Sequence, residues 1–65
     1  MHLIVNGEPL ESHSRTIKEL IEEIGIEDKV MAAAVNMNVV KKDNWESHLL
    51  CEKDRVEFLQ FVGGG

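Results

Sequence analysis

The sequence predicts an α+β fold: a mixed sheet of about four or five strands with one main helix packed on one face. Apolar residues alternate at a period of two near both ends of the chain, which is typical of half-buried strands. Between these ends, one segment repeats its apolar residues at helical spacing. With 65 residues, the chain forms one domain with a thin core. We expect this domain to span residues 1–62 and a flexible glycine tail to follow at residues 63–65.

The first two strands are predicted to form a hairpin. Residues 1–6, "MHLIVN", alternate so that one face carries the side chains of Met1, Leu3 and Val5. The Asn6-Gly7 pair that follows suits a type I′ turn, because both central positions of that turn need positive φ. Residues 8–13 form a weaker strand. Pro9 has no N–H to donate, which places this strand at an edge of the sheet.

The main helix is predicted at residues 16–24. Its apolar residues lie on one face, at i, i+3, i+4 and i+7: Ile17, Leu20, Ile21 and Ile24. Thr16 and Glu19 have the spacing of a capping box, although Ser14 is an alternative cap. Gly25 suits the left-handed conformation that ends a helix.

The second half of the chain completes the sheet. The remaining elements follow in order: a strand at 30–36, a turn at 36–38, a short strand at 39–40, a single helical turn or structured loop at 43–50, and a last strand at 55–62. The last strand places Val56 and Phe58 on one face. Because the first and last strands are the most apolar, we expect them to lie side by side at the centre. This order of elements is that of the β-grasp, or ubiquitin-like, fold, which by itself implies no function.

The charge of the chain restricts its partners. Seven Lys and Arg residues stand against twelve Asp and Glu residues, for a formal net charge of −5. Nucleic acids and anionic membranes both favour a basic surface, so neither is expected as a partner. An acidic protein instead favours a partner with a basic docking face. We predict a monomer when the chain is free.

Cysteine usage and hydropathy predict a cytoplasmic protein. The single cysteine, Cys51, excludes an internal disulfide and favours a reducing compartment. The longest apolar run, residues 30–35, is too short to span a bilayer. Residues 1–10 contain no basic leader.

No self-contained active site is predicted. Cys51 follows two leucines and is interpreted as a small core residue. Glu22 and Glu23 are adjacent on the helix, where neighbouring residues do not face each other, so they do not form a catalytic pair. The histidines lack metal-ligand spacing and are interpreted as ordinary surface residues: His2, His13 and His48. We therefore expect no catalytic residue, no bound metal and no bound cofactor.

The glycines Gly63, Gly64 and Gly65 directly follow the last predicted strand. A frayed terminus is the simplest interpretation. However, glycine has no side chain, so this segment is thin enough to enter a narrow channel. Three extended residues reach at most about 10–11 Å. Such a tail can deliver the α-carboxylate of Gly65 into the active site of another protein.

A carboxylate is a poor electrophile and must be activated before it reacts. ATP can convert it to an acyl-adenylate, and a sulfur nucleophile can then displace AMP and bond to the carboxyl carbon. The nucleotide site and the catalytic groups would belong to the partner, because no such motif is visible in this sequence. We therefore predict a carrier protein rather than an enzyme.

Several features of the sequence occur together: the short length, the opening "LIVNG", "AAVNMNVV" at 33–40, Trp45 and "DRVEFLQFVGGG" at 54–65. In these features the whole chain resembles the sulfur carrier proteins of thiamine biosynthesis, the ThiS family. The resemblance implies that a ubiquitin-activating-like adenylyltransferase uses ATP and magnesium to adenylate Gly65. Cysteine-derived sulfur then forms a thiocarboxylate, which thiazole synthase consumes. Lys53-Asp54 stands where the family often has Gly-Asp, a change that leaves the tail unaffected.

Three alternatives share parts of this pattern. The small subunit of molybdopterin synthase has the same fold and tail, and a sulfur carrier for another product, such as tRNA or an amino acid, is a second possibility. The third is a non-covalent β-grasp adaptor or binding module with an incidental tail. For docking, Leu59 and Phe61 alternate away from Phe58, so that either or both could form an exposed contact for the activating enzyme. Burial of both is the alternative.

Overall fold

The computed structural model describes residues 1–61. The elements are β1 (His2–Val5), β2 (Glu8–Glu11), α1 (Ile17–Ile24), β3 (Val30–Val35), β4 (Asn38–Val40), a 3₁₀ turn (Lys42–Asn44) and β5 (Arg55–Gln60). The predicted α+β, β-grasp order is confirmed. Val62 and the predicted tail, Gly63 to Gly65, lie outside the described residues.

The five strands form one mixed sheet in the order β2-β1-β5-β3-β4. β1 runs parallel to β5, with Ile4 opposite Arg55 and Val5 opposite Val56. β3 runs antiparallel to β5. The prediction that the first and last strands are neighbours is therefore confirmed, and β5 takes the central position.

The core lies between α1 and one face of the sheet. The helix buries its apolar stripe at Ile17, Leu20 and Ile21. The strands and the segment between β4 and β5 contribute the other buried apolar side chains: Leu3, Ala33, Val35, Val40, Trp45, Leu50, Val56 and Phe58. Successive strand residues point to opposite faces of the sheet. Because Val56 and Phe58 face the helix, the other face of β5, which the helix does not cover, carries Arg55, Glu57 and Leu59.

The two hairpins depend on left-handed backbone at their turns. Asn6 and Gly7 have φ of 50° and 85°, as the type I′ prediction required. The second hairpin turns at Asn36 and Met37, with φ of 51° and 72°. Asn38, which was predicted within this turn, is already paired in β4, opposite Val35.

The ends of α1 follow the predicted signals. The Thr16 hydroxyl accepts the backbone N–H of Glu19 at 3.1 Å, so Thr16 and not Ser14 caps the helix. The Glu19 carboxylate reaches back to the N–H of Arg15 at 2.7 Å. Gly25 adopts φ 74°, a left-handed conformation that a residue with a Cβ rarely takes.

Ser12 and Ser14, between β2 and α1, are the buried polar residues of the described chain. Both hydroxyls donate to Oε1 of Glu23, at 2.7 Å and 2.6 Å. The bond from Ser14, followed by that from Ser12, lowers the pKa of the Glu23 carboxyl below its ordinary value. The Glu23 carboxylate thus fastens the loop before α1 to the last turn of the helix.

Candidate functional site

The C-terminal end of β5 leads to the predicted tail. The strand ends at Gln60, two residues earlier than the sequence predicted, and Phe61 follows outside it. The backbone N–H of Phe61 donates to the carbonyl of Lys29 at 2.6 Å. This bond holds the chain against the residue that precedes β3, four residues before Gly65.

Leu59 and Phe61 are both exposed, each with 62% of its surface accessible. On β5, the core side is taken by Val56 and Phe58, which are 0% and 7% exposed. Alternation therefore places Leu59 on the uncovered face of the sheet. Of the two alternatives left by the sequence, exposure and not burial is observed.

A β-bulge brings Met31 to the surface beside these residues. The register between β3 and β5 shifts between Val30 and Ala32. The residues of β3 that face the core are Val30, Ala33 and Val35. Val30 and Ala33 are three positions apart, whereas successive core-facing residues of a regular strand are two positions apart. The extra residue leaves Met31 out of the core, at 62% exposure. Bulges of this kind re-aim side chains at sheet surfaces.

The uncovered face also holds a shallow apolar depression of about 270 Å³ between β5, β3 and β4. Ala32 and Leu59 lie opposite each other in its lining, and Val39 of β4 forms its far side at 77% exposure. We define the apolar patch as Met31, Ala32, Val39, Leu59 and Phe61. The sequence prediction contained two of these residues. It missed Met31 because the run "VMAAAV" carries no sign of the bulge.

Asp54, just before β5, and Glu57, on β5, have different surroundings. Asp54 accepts the N–H of Cys51 at 2.8 Å through Oδ2 and the Asn36 amide at 2.9 Å through Oδ1. It therefore organises the turn before β5. Glu57 is exposed and contributes to the lining of the depression, so it is the carboxylate beside the apolar patch.

Cys51 lies at the opposite end of β5. The interpretation of Cys51 as a core residue is wrong, because the thiol belongs to an exposed residue in the turn that ends at Asp54. Two hydrogen bonds close this turn: the N–H of Cys51 donates to Oδ2 of Asp54, and the N–H of Asp54 donates to the carbonyl of Cys51. The closed turn holds Cys51 out of the core. At about 3.3 Å per strand residue, it lies roughly 20 Å from Phe61.

A charged cluster closes the same end of the sheet. His2 contacts Glu11 through Nε2 at 2.8 Å and Glu52 through Nδ1 at 3.0 Å. The backbone N–H of His2, which also bonds Glu52, is the largest cause that lowers the pKa of this carboxyl below its ordinary value. Among residues 1–61, no group of three His, Cys, Asp or Glu side chains could hold a metal ion. The helix in the described part of the chain is neither long nor apolar enough to cross a membrane.

The sequence of residues 3–65 matches the family model of the ThiS family. The chain belongs to the ThiS family. The matched region runs to Gly65 and therefore includes the glycine tail, so the resemblance inferred from the sequence is confirmed.

Individual ThiS relatives agree with this assignment. The chain is 32% identical over 50 residues to the sulfur carrier protein ThiS of Bacillus subtilis, covering 77% of this chain and 76% of that protein. It is 24% identical over 66 residues to the sulfur carrier protein ThiS of Escherichia coli, covering both completely. A thiazole synthase of Paramagnetospirillum magneticum is 32% identical over 66 residues, but this chain spans only 20% of its length.

A solved ThiS structure shares the fold. The crystal structure of thiamine biosynthesis protein ThiS from Geobacter metallireducens superposes with a TM-score of 0.81 at 28% identity, covering all of both chains. The NMR structure of a thiamine biosynthesis protein from the same organism gives a TM-score of 0.79 at 28% identity, covering all of this chain and 88% of that one.

Proposed function

We propose that this ThiS-family chain carries sulfur for thiamine biosynthesis as a thiocarboxylate on Gly65. The family match through Gly65 is the observation that carries this proposal, since it includes the residues that bear the reacting group. The position of β5 supports it. This strand is anchored at the centre of the sheet and brings the chain to the surface at Phe61, shortly before the terminal glycines.

The proposed chemistry occurs at one carbon. A carboxylate oxygen of Gly65 attacks the α-phosphorus of ATP, and pyrophosphate leaves. Sulfur at the oxidation level of sulfide then attacks the carboxyl carbon, a C–S bond forms, and the C–O bond to AMP breaks. The product is a thiocarboxylate, AMP and a proton. The α-carboxylate is ionised at neutral pH, so it is ready for the first step.

In this proposal, an adenylyltransferase related to ubiquitin-activating enzymes supplies the ATP site, the magnesium ion and the catalytic groups. The carrier contributes a narrow tail and a recognisable surface. The acidic net charge of −5 favours association with a basic docking face on that enzyme. A cysteine-derived donor supplies the sulfur.

We infer that thiazole synthase receives the sulfur. The relative from Paramagnetospirillum magneticum is named a thiazole synthase and contains a segment similar to this whole chain. The presence of a carrier-like segment within a thiazole synthase supports the inference that sulfur carriage and thiazole synthesis act together. The thiamine names of the other relatives favour this role over a carrier for molybdopterin or another product.

We infer that the apolar patch is the docking surface for the activating enzyme. Leu59 and Phe61 are exposed apolar side chains next to the tail, where an enzyme that binds Gly65 must also contact the domain. The neighbouring depression is lined mainly by small and aliphatic side chains. Exposed clusters of this kind commonly mark protein interaction sites.

Intact-mass analysis tests the carrier role. The chain is incubated with ATP, magnesium, a sulfide source and the cognate activating enzyme, and we expect one oxygen to be replaced by one sulfur on Gly65. A chain lacking Gly64 and Gly65 is the matched control and should gain no mass and support no thiazole formation. A non-covalent adaptor would instead retain its activity after this deletion, and that result would overturn the carrier proposal.

A further inference from the structure

The last residues of β5 have a strand neighbour on one side only. β3 pairs with β5 from Val56 to Gln60, whereas β1 pairs with β5 only at Arg55 and Val56. The chain of β1 then turns away into β2. Within residues 1–61, no strand therefore lies beside the second half of β5 on the β1 side. We call Leu59–Phe61 on this side the open edge.

The directions of the backbone bonds identify the groups on the open edge. The Phe61 N–H donates to Lys29 on the β3 side. The Phe58 N–H points the other way, to Oδ1 of Asn6 at 2.8 Å. Because N–H and C=O groups alternate in direction along a strand, those of Gln60 lie on the same side as the N–H of Phe58. The open edge thus presents one donor and one acceptor from Gln60.

The two outer edges of the sheet are protected against strand addition, but the open edge is not. The edge strand β2 contains Pro9 between Glu8 and Leu10 and ends in Glu11. The edge strand β4 has only three residues and is followed by Lys41 and Lys42. Proline, charge and shortness are the usual means of blocking unwanted pairing. The open edge, "LQF", has none of them.

We propose that the enzyme that activates Gly65 adds an extended segment as a β-strand to the open edge, bonded to the N–H and C=O of Gln60. This inference rests on the carrier function proposed above. The occupant follows from continuity, since only Val62–Gly65 separate Phe61 from the reactive carboxylate. Four residues span at most roughly 13–14 Å, so the protein that binds the carboxylate also reaches the open edge.

Backbone pairing at this position has a specific advantage. A glycine tail offers no side chains to set its direction or register. Hydrogen bonds to the strand just before it would fix both, because strand addition recognises the main chain. The activating enzyme would then align the tail before the carboxylate reaches ATP.

A matched pair of variants tests this proposal. Gln60→Pro removes the N–H on the open edge, while Gln60→Ala removes the side chain and keeps the N–H. The steady-state rate of ATP–pyrophosphate exchange is measured with the cognate activating enzyme against carrier concentration. We expect KM for the Gln60→Pro chain to rise about 5- to 100-fold, the range for an unmade interface hydrogen bond, and KM for Gln60→Ala to stay within about twofold of wild type.

Two further measurements keep the test decisive. If Gln60→Pro does not fold, as judged by circular dichroism, a synthetic chain with an ester in place of the Leu59–Gln60 amide replaces it, and the same rise is expected. Amide hydrogen exchange of Gln60 should slow when the activating enzyme is added. Equal KM values for the Pro (or ester) and Ala chains, together with unchanged exchange at Gln60, overturn the open-edge proposal. Absence of any exchange activity with the wild-type chain would instead contradict the carrier function itself.

Discussion

The two ends of β5 are built differently. At the N-terminal end, β1 and β3 flank the strand and Val56 is 0% exposed. The Asn36 side chain reinforces this end, accepting from the backbone N–H of Arg55 at 3.0 Å and donating to Asp54 at 2.9 Å. At the C-terminal end, β3 is the only strand neighbour among the described residues, and Leu59 is 62% exposed.

This difference separates two tasks along one strand. The N-terminal end holds β5 in the core, and the C-terminal end exposes apolar side chains and the open edge. Substitutions at the first end should therefore reduce the free energy of unfolding. Substitutions at the second end should alter recognition by a partner while the fold persists.

The largest effect is expected for Val56→Ala. Loss of two buried methyl groups at a fully buried position should lower the free energy of unfolding by about 2–3 kcal/mol. The matched substitution at the other end, Leu59→Ala, should cost less than about 0.5 kcal/mol because the side chain is mostly in water. Urea denaturation measures both. If both substitutions lowered the free energy of unfolding equally, the two ends of β5 would not differ in their contribution to stability.

Leu59→Arg tests whether the C-terminal end of β5 contributes to recognition by the activating enzyme. A charge within the apolar patch should raise KM for adenylation about 30-fold, equivalent to about 2 kcal/mol, if Leu59 is a central contact. The control is Leu49→Arg, since Leu49 is similarly exposed at 68% but lies on the loop that bridges to Thr16. Adenylation kinetics of two folded variants provide the measurement. An unchanged KM for the Leu59 variant would exclude this residue from the docking surface.

Asn36→Ala tests how far the Asn36 side chain stabilises the N-terminal end of β5. The substitution removes two side-chain hydrogen bonds and places alanine at φ 51°. We expect a loss of about 1–2 kcal/mol in the free energy of unfolding. The comparison is Gln60→Ala, at the C-terminal end of β5, which should lower the free energy of unfolding by less than about 0.5 kcal/mol. Both are measured by urea denaturation, and a Gln60 loss as large as that of Asn36 would contradict the comparison.

The smallest effect concerns Glu52, in the turn before β5. Bonds from His2 lower the pKa of its carboxyl in the folded state, so ionised Glu52 favours folding above about pH 5, where unfolded Glu is also ionised. This contribution is lost as the pH falls through the lowered folded-state pKa. Glu52→Gln should therefore reduce Tm slightly at pH 7, and by less at pH 3. Thermal melts at the two pH values measure this difference, and an equal loss of Tm at pH 7 and pH 3 would contradict the role of the ionised carboxylate.

Local signals in the sequence were sufficient to predict the order of the elements and to suggest the reactive group. The helix followed from the spacing of its apolar residues, its N-terminus from Thr16, and its C-terminus from Gly25, because each depends on residues within one or two turns. The Asn6-Gly7 turn is equally local. The proposed reactive group at Gly65 needed only the glycine sequence and the resemblance of the chain to ThiS proteins.

Tertiary structure alone decided which residues surround the root of the tail. The exposure of Met31 depends on a bulge in β3 against β5, and the open edge exists because β1 stops opposite Val56. Burial of Ser12 likewise depends on a partner farther along the chain, the carboxylate of Glu23. Sequence periodicity reports the face of a residue within its own element, but not where a neighbouring strand ends. Long-range pairing therefore determined the surface that we propose for partner docking, while local sequence determined the proposed site of modification.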